Sequence, residues 1–177
     1  MSTVASRPIV LVGMMGTGKT SVGRAIAEHL NIPFLDLDEE IERRAGKHVS
    51  EIFAEQGEGA FRLLESEALS DLVGRAASAF VLSTGGGVVT VARNRELLSE
   101  PTLDVVLLEA PIDELLERLP TDDGRPLLRG DRREALESLW LSREDHYRRT
   151  ARVIVQTEGL SVEEVARSVL RELQVAL

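Results

Sequence analysis

With 177 residues, 43% of them apolar, the chain has the length and core-forming content of one globular domain, spanning 1–177, rather than several. Its 30 acidic residues against 21 basic ones, a net charge of −9, exclude broad binding to nucleic-acid backbones or anionic membranes, so any anionic ligand must be drawn by local basic groups. No cysteine is present and His29, His48 and His146 lack ligand spacing, which excludes a disulfide framework and argues against a structural metal.

The start, Met1–Arg7 and then Pro8-Ile9-Val10-Leu11-Val12, has the charged and apolar parts of a signal peptide, but the apolar run stops at Gly13. No stretch approaches the roughly 20 apolar residues that span a bilayer, so a cytoplasmic soluble protein is the expectation; a monomer is the expected state. Ile9–Val12 reads as a buried parallel strand. Gly13-Met14-Met15-Gly16-Thr17-Gly18-Lys19-Thr20 follows and matches Gly-x-x-x-x-Gly-Lys-Ser/Thr, with an amphipathic helix predicted over Thr20–Leu30. In such a loop the glycines let successive N–H groups face a phosphate, the lysine neutralises the β and γ phosphates, and the Thr20 hydroxyl can ligate Mg²⁺. The helix dipole adds to the anion site. The loop implies ATP-type phosphate binding without separating a kinase from an ATPase, a GTPase or a motor.

Phe34–Leu37 is the second predicted strand, and Asp36 and Asp38 at its end are expected on one face, as residues two apart in extended chain are. One acid would serve Mg²⁺ through water and the other a hydroxyl proton; the alternative for Asp38 is a helix cap. A helix over Asp38–Ala45 ends at Gly46, Ser50 is expected to cap a short third helix, and Phe61–Val73 forms the next. On that last helix Arg62 and Glu65 lie three apart, either an acid orienting a guanidinium for a carboxylate ligand or a plain surface ion pair. A third strand, Ala79–Leu82, runs into Ser83-Thr84-Gly85-Gly86-Gly87, read as backbone N–H groups for an anion or as a flexible turn.

Helix Arg93–Leu98 and strand Val105–Leu108 come next, the strand ending at Glu109, a rival Mg²⁺ ligand ranked below Asp36 because a helix begins directly after it. Pro111 suits a first helical turn before Ile112–Leu119. Pro120–Arg132 interrupts the helical pattern with proline, glycine and charge and is read as a lid. Helix Arg133–Tyr147 carries Arg143, with Arg148-Arg149 just beyond it, strand Val153–Val155 follows, and Ser161 with Glu164 forms a capping box for helix Val162–Leu170. Strands alternating with helices make the fold class α/β, with three α/β/α layers around a parallel sheet.

These residues together resemble the shikimate kinase family over nearly the whole chain. The resemblance rests on the phosphate loop, Phe34-Leu35-Asp36-Leu37-Asp38, Ile52-Phe53 with Gly57-Glu58 and Phe61-Arg62-Leu63-Leu64-Glu65, Gly85–Gly87, Gly124-Arg125-Pro126-Leu127-Leu128, and Arg143 with Tyr147-Arg148, in the family's order. It implies a five-stranded P-loop fold of nucleoside-monophosphate-kinase type and transfer of the γ-phosphoryl group of ATP to the 3-hydroxyl of shikimate, on the pathway to chorismate and the aromatic amino acids. It implies that Gly16, Thr17, Gly18, Lys19, Thr20, Arg118 and Arg125 bind ATP, with Arg118 against adenine and Arg125 closing from the lid. Asp38, Arg62, Gly86, Gly87 and Arg143 would surround shikimate, shaped by Phe53, Phe61 and Glu65. Asp38, Lys19 and Arg125 would be catalytic, and Thr20 and, through water, Asp36 would serve one Mg²⁺ per subunit. Gln156-Thr157-Glu158-Gly159 gives no match to the family's adenine side. Gluconate kinase is the related alternative, and a non-kinase nucleotide-dependent switch protein the one from another class.

Overall fold

A run apolar at every position is stable as a strand only when both its faces are covered, and Ile9–Val12 forms the central strand of such a sheet. The computed structural model describes residues 7–74, 78–119 and 131–175. In it β1 (Ile9–Val12), β2 (Phe34–Asp36), β3 (Val81–Ser83), β4 (Asp104–Glu109) and β5 (Val153–Gln156) form one parallel sheet in the order β2-β3-β1-β4-β5.

Side chains alternate across the sheet, so its core divides in two. Val10, Val12, Leu82, Val105 and Leu107 face one way, under α2 (Leu37–Ala45), α3 (Val49–Gly74), α4 (Ala92–Leu98), α5 (Ile112–Arg118) and α6 (Arg132–Thr150). Ile9, Leu11, Val81, Val106 and Leu108 face the other, under α1 (Lys19–Leu30) and α7 (Val162–Glu172). The result is the expected three-layer architecture. Because β1 lies between β3 and β4, the winding direction reverses there, and a crevice opens off the carboxyl ends of β1, β2 and β3.

Several boundaries differ from the sequence expectation for identifiable reasons. Strand β3 starts at Val81 rather than Ala79, since its neighbours begin at Ile9 and Phe34, both opposite Val81. Ser50 caps nothing: α3 starts at Val49, whose N–H is satisfied by Glu42 Oε1 at 2.8 Å, while Glu51 Oε2 accepts from His48 N at 2.7 Å. The two helices expected around residues 50–73 are one span broken at Gly57, whose φ of 80° is non-helical. Gly46 ends α2 in the left-handed region as expected, Pro111 sits at the cap position just before α5, and the Ser161–Glu164 capping box forms.

The last two residues assigned to the lid belong to a helix start, where Asp131 Oδ1 accepts from Arg133 N at 2.9 Å and Glu134 N at 3.2 Å. Residues 120–130, and Arg125 with them, lie outside the described residues. Among the described residues no helix is long and apolar enough to cross a membrane.

Candidate active site

The phosphate loop leaves β1 through Gly13, where φ is 140° and a Cβ would run into the Leu108 carbonyl, so only glycine fits. Thr17 Oγ1 donates to Met14 O at 2.8 Å and ties the turn together. Lys19, in the first turn of α1, extends back over the loop and donates from Nζ to Gly13 O at 2.9 Å and Met14 O at 2.8 Å. Gly16, Gly18, Lys19 and Thr20 line one end of a cavity of about 640 Å³; Thr17 is buried beneath them. A volume of this size suits small-molecule substrates.

Asp36 and Asp38 both face this cavity, but not as extended chain would place them. The strand stops at Asp36, whose Oδ1 accepts from Asp38 N at 3.0 Å and from Glu39 N at 3.4 Å, so the helix cap is Asp36 and not Asp38. Asp38 lies in the first turn of α2. The other Asp36 oxygen, Oδ2, accepts from Thr20 Oγ1 at 3.0 Å, and Thr20 Oγ1 is also 3.2 Å from Ser83 Oγ. This cluster of hard oxygen donors beside the phosphate loop fits Mg²⁺. Among the described residues no group of three His, Cys, Asp or Glu could hold a metal alone, so a cation here would share its coordination with phosphate oxygens and water. Glu109 is turned away from the cavity and accepts from Arg148 Nη2 at 3.1 Å.

At the opposite end Arg62, Glu65 and Arg143 converge. Glu65, 0% exposed, accepts from Arg62 Nη1 through Oε2 at 2.8 Å, and Glu58 Oε1 accepts from Arg62 Nη2 at 3.0 Å. Arg62 also lies 5.2 Å from the Phe61 ring centroid, and the Phe53 and Phe61 rings pack 4.6 Å apart to form the apolar wall. Arg143 is only 4% exposed, donates from Nη1 to Gly86 O at 3.2 Å, and has no carboxylate within ion-pair distance among the described residues.

The glycine triplet proves to be a matter of space. None of Gly85, Gly86 and Gly87 has a positive φ, but a Cβ on Gly87 would overlap the Arg62 guanidinium. A Cβ on Gly85 would lie 2.9 Å from Glu65 Oε1 and 3.2 Å from Asp38 Oδ1. Both of those oxygens are buried without a hydrogen-bond partner, so two unsatisfied acceptors meet in the cavity where a ligand's hydroxyl groups can donate.

Burial, and then the Asp36 charge, hold the Asp38 carboxyl above its usual range. Burial also outweighs the Arg62 guanidinium at Glu65 and pushes that carboxyl from 4.5 up to about 7. The folded state therefore keeps a proton that the unfolded chain releases, and the Glu65 contribution to stability, full below pH 4.5, is lost as pH rises to about 7. That loss is on the order of 3 kcal/mol. Urea unfolding of the wild type and Glu65→Gln at pH 5 and pH 8 is expected to show the stability difference moving in favour of the variant at the higher pH. An unchanged difference would mean that Glu65 is ionised throughout.

Arg118 is held by Glu114 and by the segment after β5: its Nη1 donates to Thr157 Oγ1 at 3.0 Å and its Nη2 to Thr157 O at 2.9 Å. Thr157, in the stretch Gln156–Gly159 where the resemblance gave no clear match on the adenine side, thus lies beside Arg118 at the cavity edge. Ser83 and Tyr147 also enter the site from the fold, Tyr147 through a hydrogen bond from its hydroxyl to Gly86 O. The sequence signals for Tyr147 were its place beside Arg148 in the family resemblance and its position a single helical turn beyond Arg143.

The shikimate kinase family model matches residues 15–174. The shikimate kinase of Thermobifida fusca is 42% identical over 174 residues, covering 98% of this chain and 99% of the relative. That of Bordetella avium is 42% identical over 168 residues, covering 94% of this chain and 79% of the relative. Among solved structures, the shikimate kinase from Acinetobacter baumannii in complex with shikimate superposes with a TM-score of 0.91 at 39% identity, over 97% of this chain and 94% of that one. On a family match that takes in the phosphate loop from Met15 onward, the acidic strand end and both arginines, with a relative 42% identical over nearly its full length, the chain belongs to the shikimate kinase family.

Proposed function

We propose that this chain transfers the γ-phosphoryl group of ATP to the 3-hydroxyl of shikimate, as a single cytoplasmic kinase domain acting as a monomer. The observation that carries this reading is one cavity with the phosphate loop at one end, at the other a buried arginine with no carboxylate within ion-pair distance among the described residues, and unsatisfied Asp38 and Glu65 oxygens between them. Shikimate is a small anionic triol. Its carboxylate suits Arg143 and Arg62, and its hydroxyl groups supply donors for the orphan acceptors.

Asp38 orients the acceptor hydroxyl and takes its proton as the oxygen bonds to the γ-phosphorus and the bond from phosphorus to the β,γ-bridging oxygen breaks, releasing ADP. The raised Asp38 pKa makes it a better proton acceptor than an exposed carboxylate. Lys19 swings from the loop carbonyls to the phosphates, and Arg125, from the family resemblance, closes on them to stabilise charge on the transferring group. Thr20, and Asp36 through water, would hold the Mg²⁺ that accompanies ATP. When bound there it would supply charge neutralisation to the phosphates. Arg118 flanks the adenine side together with the Thr157 segment.

The reading is tested by measuring ADP formation from Mg·ATP with shikimate, gluconate and nucleoside monophosphates. Turnover with shikimate alone is expected; turnover with gluconate or a nucleotide and none with shikimate would overturn it. Gly87→Ala is expected to displace the Arg62 guanidinium and weaken shikimate binding by about tenfold or more, a change of about 1.4 kcal/mol, with ATP affinity nearly unchanged. Calorimetric titration with each substrate measures both.

A further inference from the structure

Tyr147 is the only tyrosine of the chain and is 0% exposed, seated in the main core cluster with its ring 6.1 Å from that of Trp140. Its hydroxyl reaches out of that apolar setting to donate to Gly86 O, the same oxygen that accepts from Arg143 Nη1. Tyr147 and Arg143 stand one turn apart on α6, so one face of this helix grips one carbonyl with two donors. Burial pushes the phenol pKa up to about 12, and the hydroxyl remains a donor throughout the neutral range.

The carbonyl of Gly86 and the N–H of Gly87 belong to one trans peptide and point in opposite directions. Drawing the carbonyl toward α6 therefore turns the Gly87 N–H away from α6. Both glycines line the cavity, and neither N–H donates to any of the described residues. Gly86 also touches the phosphate loop, where a Cβ on it would be 3.4 Å from Gly13 O and from Met15 N, while Gly87 abuts Arg62. The Gly86–Gly87 peptide is thus the joint between the nucleotide and acceptor ends of the cavity.

We propose that Tyr147 is a positioning residue for the acceptor, its hydroxyl holding the Gly86–Gly87 peptide in register with the phosphate loop so that the Gly87 N–H and Arg143 meet the acceptor's carboxylate together. This rests on the acceptor reading above. An arginine that turns to bind a carboxylate slackens its hold on the Gly86 carbonyl, and Tyr147 is the donor that stays. The core-anchored tyrosine leaves Arg143 free to serve the ligand without loss of the backbone geometry.

The test applies to wild-type protein that turns over shikimate, so a failure of the acceptor reading appears first as absent wild-type activity. Tyr147→Phe keeps the ring and removes only the hydroxyl. Its expected effect is a rise in the shikimate Kd and KM of roughly tenfold, as for loss of one buried hydrogen-bond donor, with the ATP Kd within about twofold of wild type. Unchanged shikimate affinity overturns the proposal, as does a parallel fall in both affinities, which marks a merely structural role. If the variant does not fold, 3-fluorotyrosine incorporated into otherwise wild-type protein labels this position alone. Its fluorine resonance is expected to move as shikimate saturates the protein and to respond less to ATP; no response to shikimate overturns the proposal.

Discussion

Asp38→Asn is expected to leave ATP binding near the wild-type level and to lower kcat for shikimate phosphorylation by roughly 10²- to 10⁴-fold, the usual range for loss of a general base. Asn keeps the shape of the side chain but cannot accept the hydroxyl proton. ATP affinity is spared because Asp36, not Asp38, caps α2 and contacts Thr20. The same variant is expected to melt at a higher temperature than the wild type at neutral pH. Burial and the Asp36 charge raise the Asp38 pKa, so the ionised carboxylate destabilises the fold as pH rises, and Asn removes that charge. Loss of turnover together with a gain in melting temperature would mark Asp38 as a residue retained for chemistry against the interest of stability. Near-normal turnover in a coupled ADP assay would refute its role as proton acceptor.

Arg143→Ala is expected to weaken shikimate binding by on the order of 2 to 5 kcal/mol, the cost of removing one partner of a buried charge pair. That is roughly 30-fold to several-thousand-fold in Kd. Arg143 is buried with no carboxylate within ion-pair distance among the described residues, so the ligand's carboxylate is the counter-charge its setting calls for. Arg62→Ala is expected to weaken binding to a similar degree and also to destabilise the ligand-free protein. Its removal strips the buried Glu65 of its hydrogen-bonded cation, whereas Arg143 makes no ion pair with a carboxylate among the described residues. Calorimetry with shikimate and thermal melting of both variants separate the two. Unchanged affinity in Arg143→Ala would refute the carboxylate assignment, and equal melting temperatures would refute the distinction between the arginines.

How much of this was legible in the chain depended on how local the cause was. The strand–loop–helix turn around Gly13–Thr20, the left-handed end of α2 at Gly46 and the Ser161–Glu164 capping box each depend on a few consecutive residues, and each takes the expected conformation. The start of α3 misled because the expected cap, Ser50, is replaced by Glu42 reaching back from α2, an interaction between two elements. The Asp36–Asp38 pair was right in destination and wrong in reason: extended geometry does not continue past Asp36, since its own side chain starts the next helix.

The glycine triplet, the arginines and Tyr147 mark the limit more sharply. Three adjacent glycines suggested either exposed amides or a flexible turn, because a sequence does not say what stands opposite each Cβ. What stands opposite is the Arg62 guanidinium at Gly87 and two acidic oxygens at Gly85. Composition and local pattern alone determined an α/β chain with a nucleotide-type phosphate loop, since hydrophobic period and loop chemistry act over neighbouring residues. Tertiary structure alone decided that Arg143 and Tyr147, 57 and 61 positions from Gly86, close on the same carbonyl, and that Asp38 and Glu65 point unsatisfied oxygens into the cavity beside the phosphate loop. Desolvation and hydrogen bonding at that distance in sequence exist only once the sheet order has brought the strand ends together.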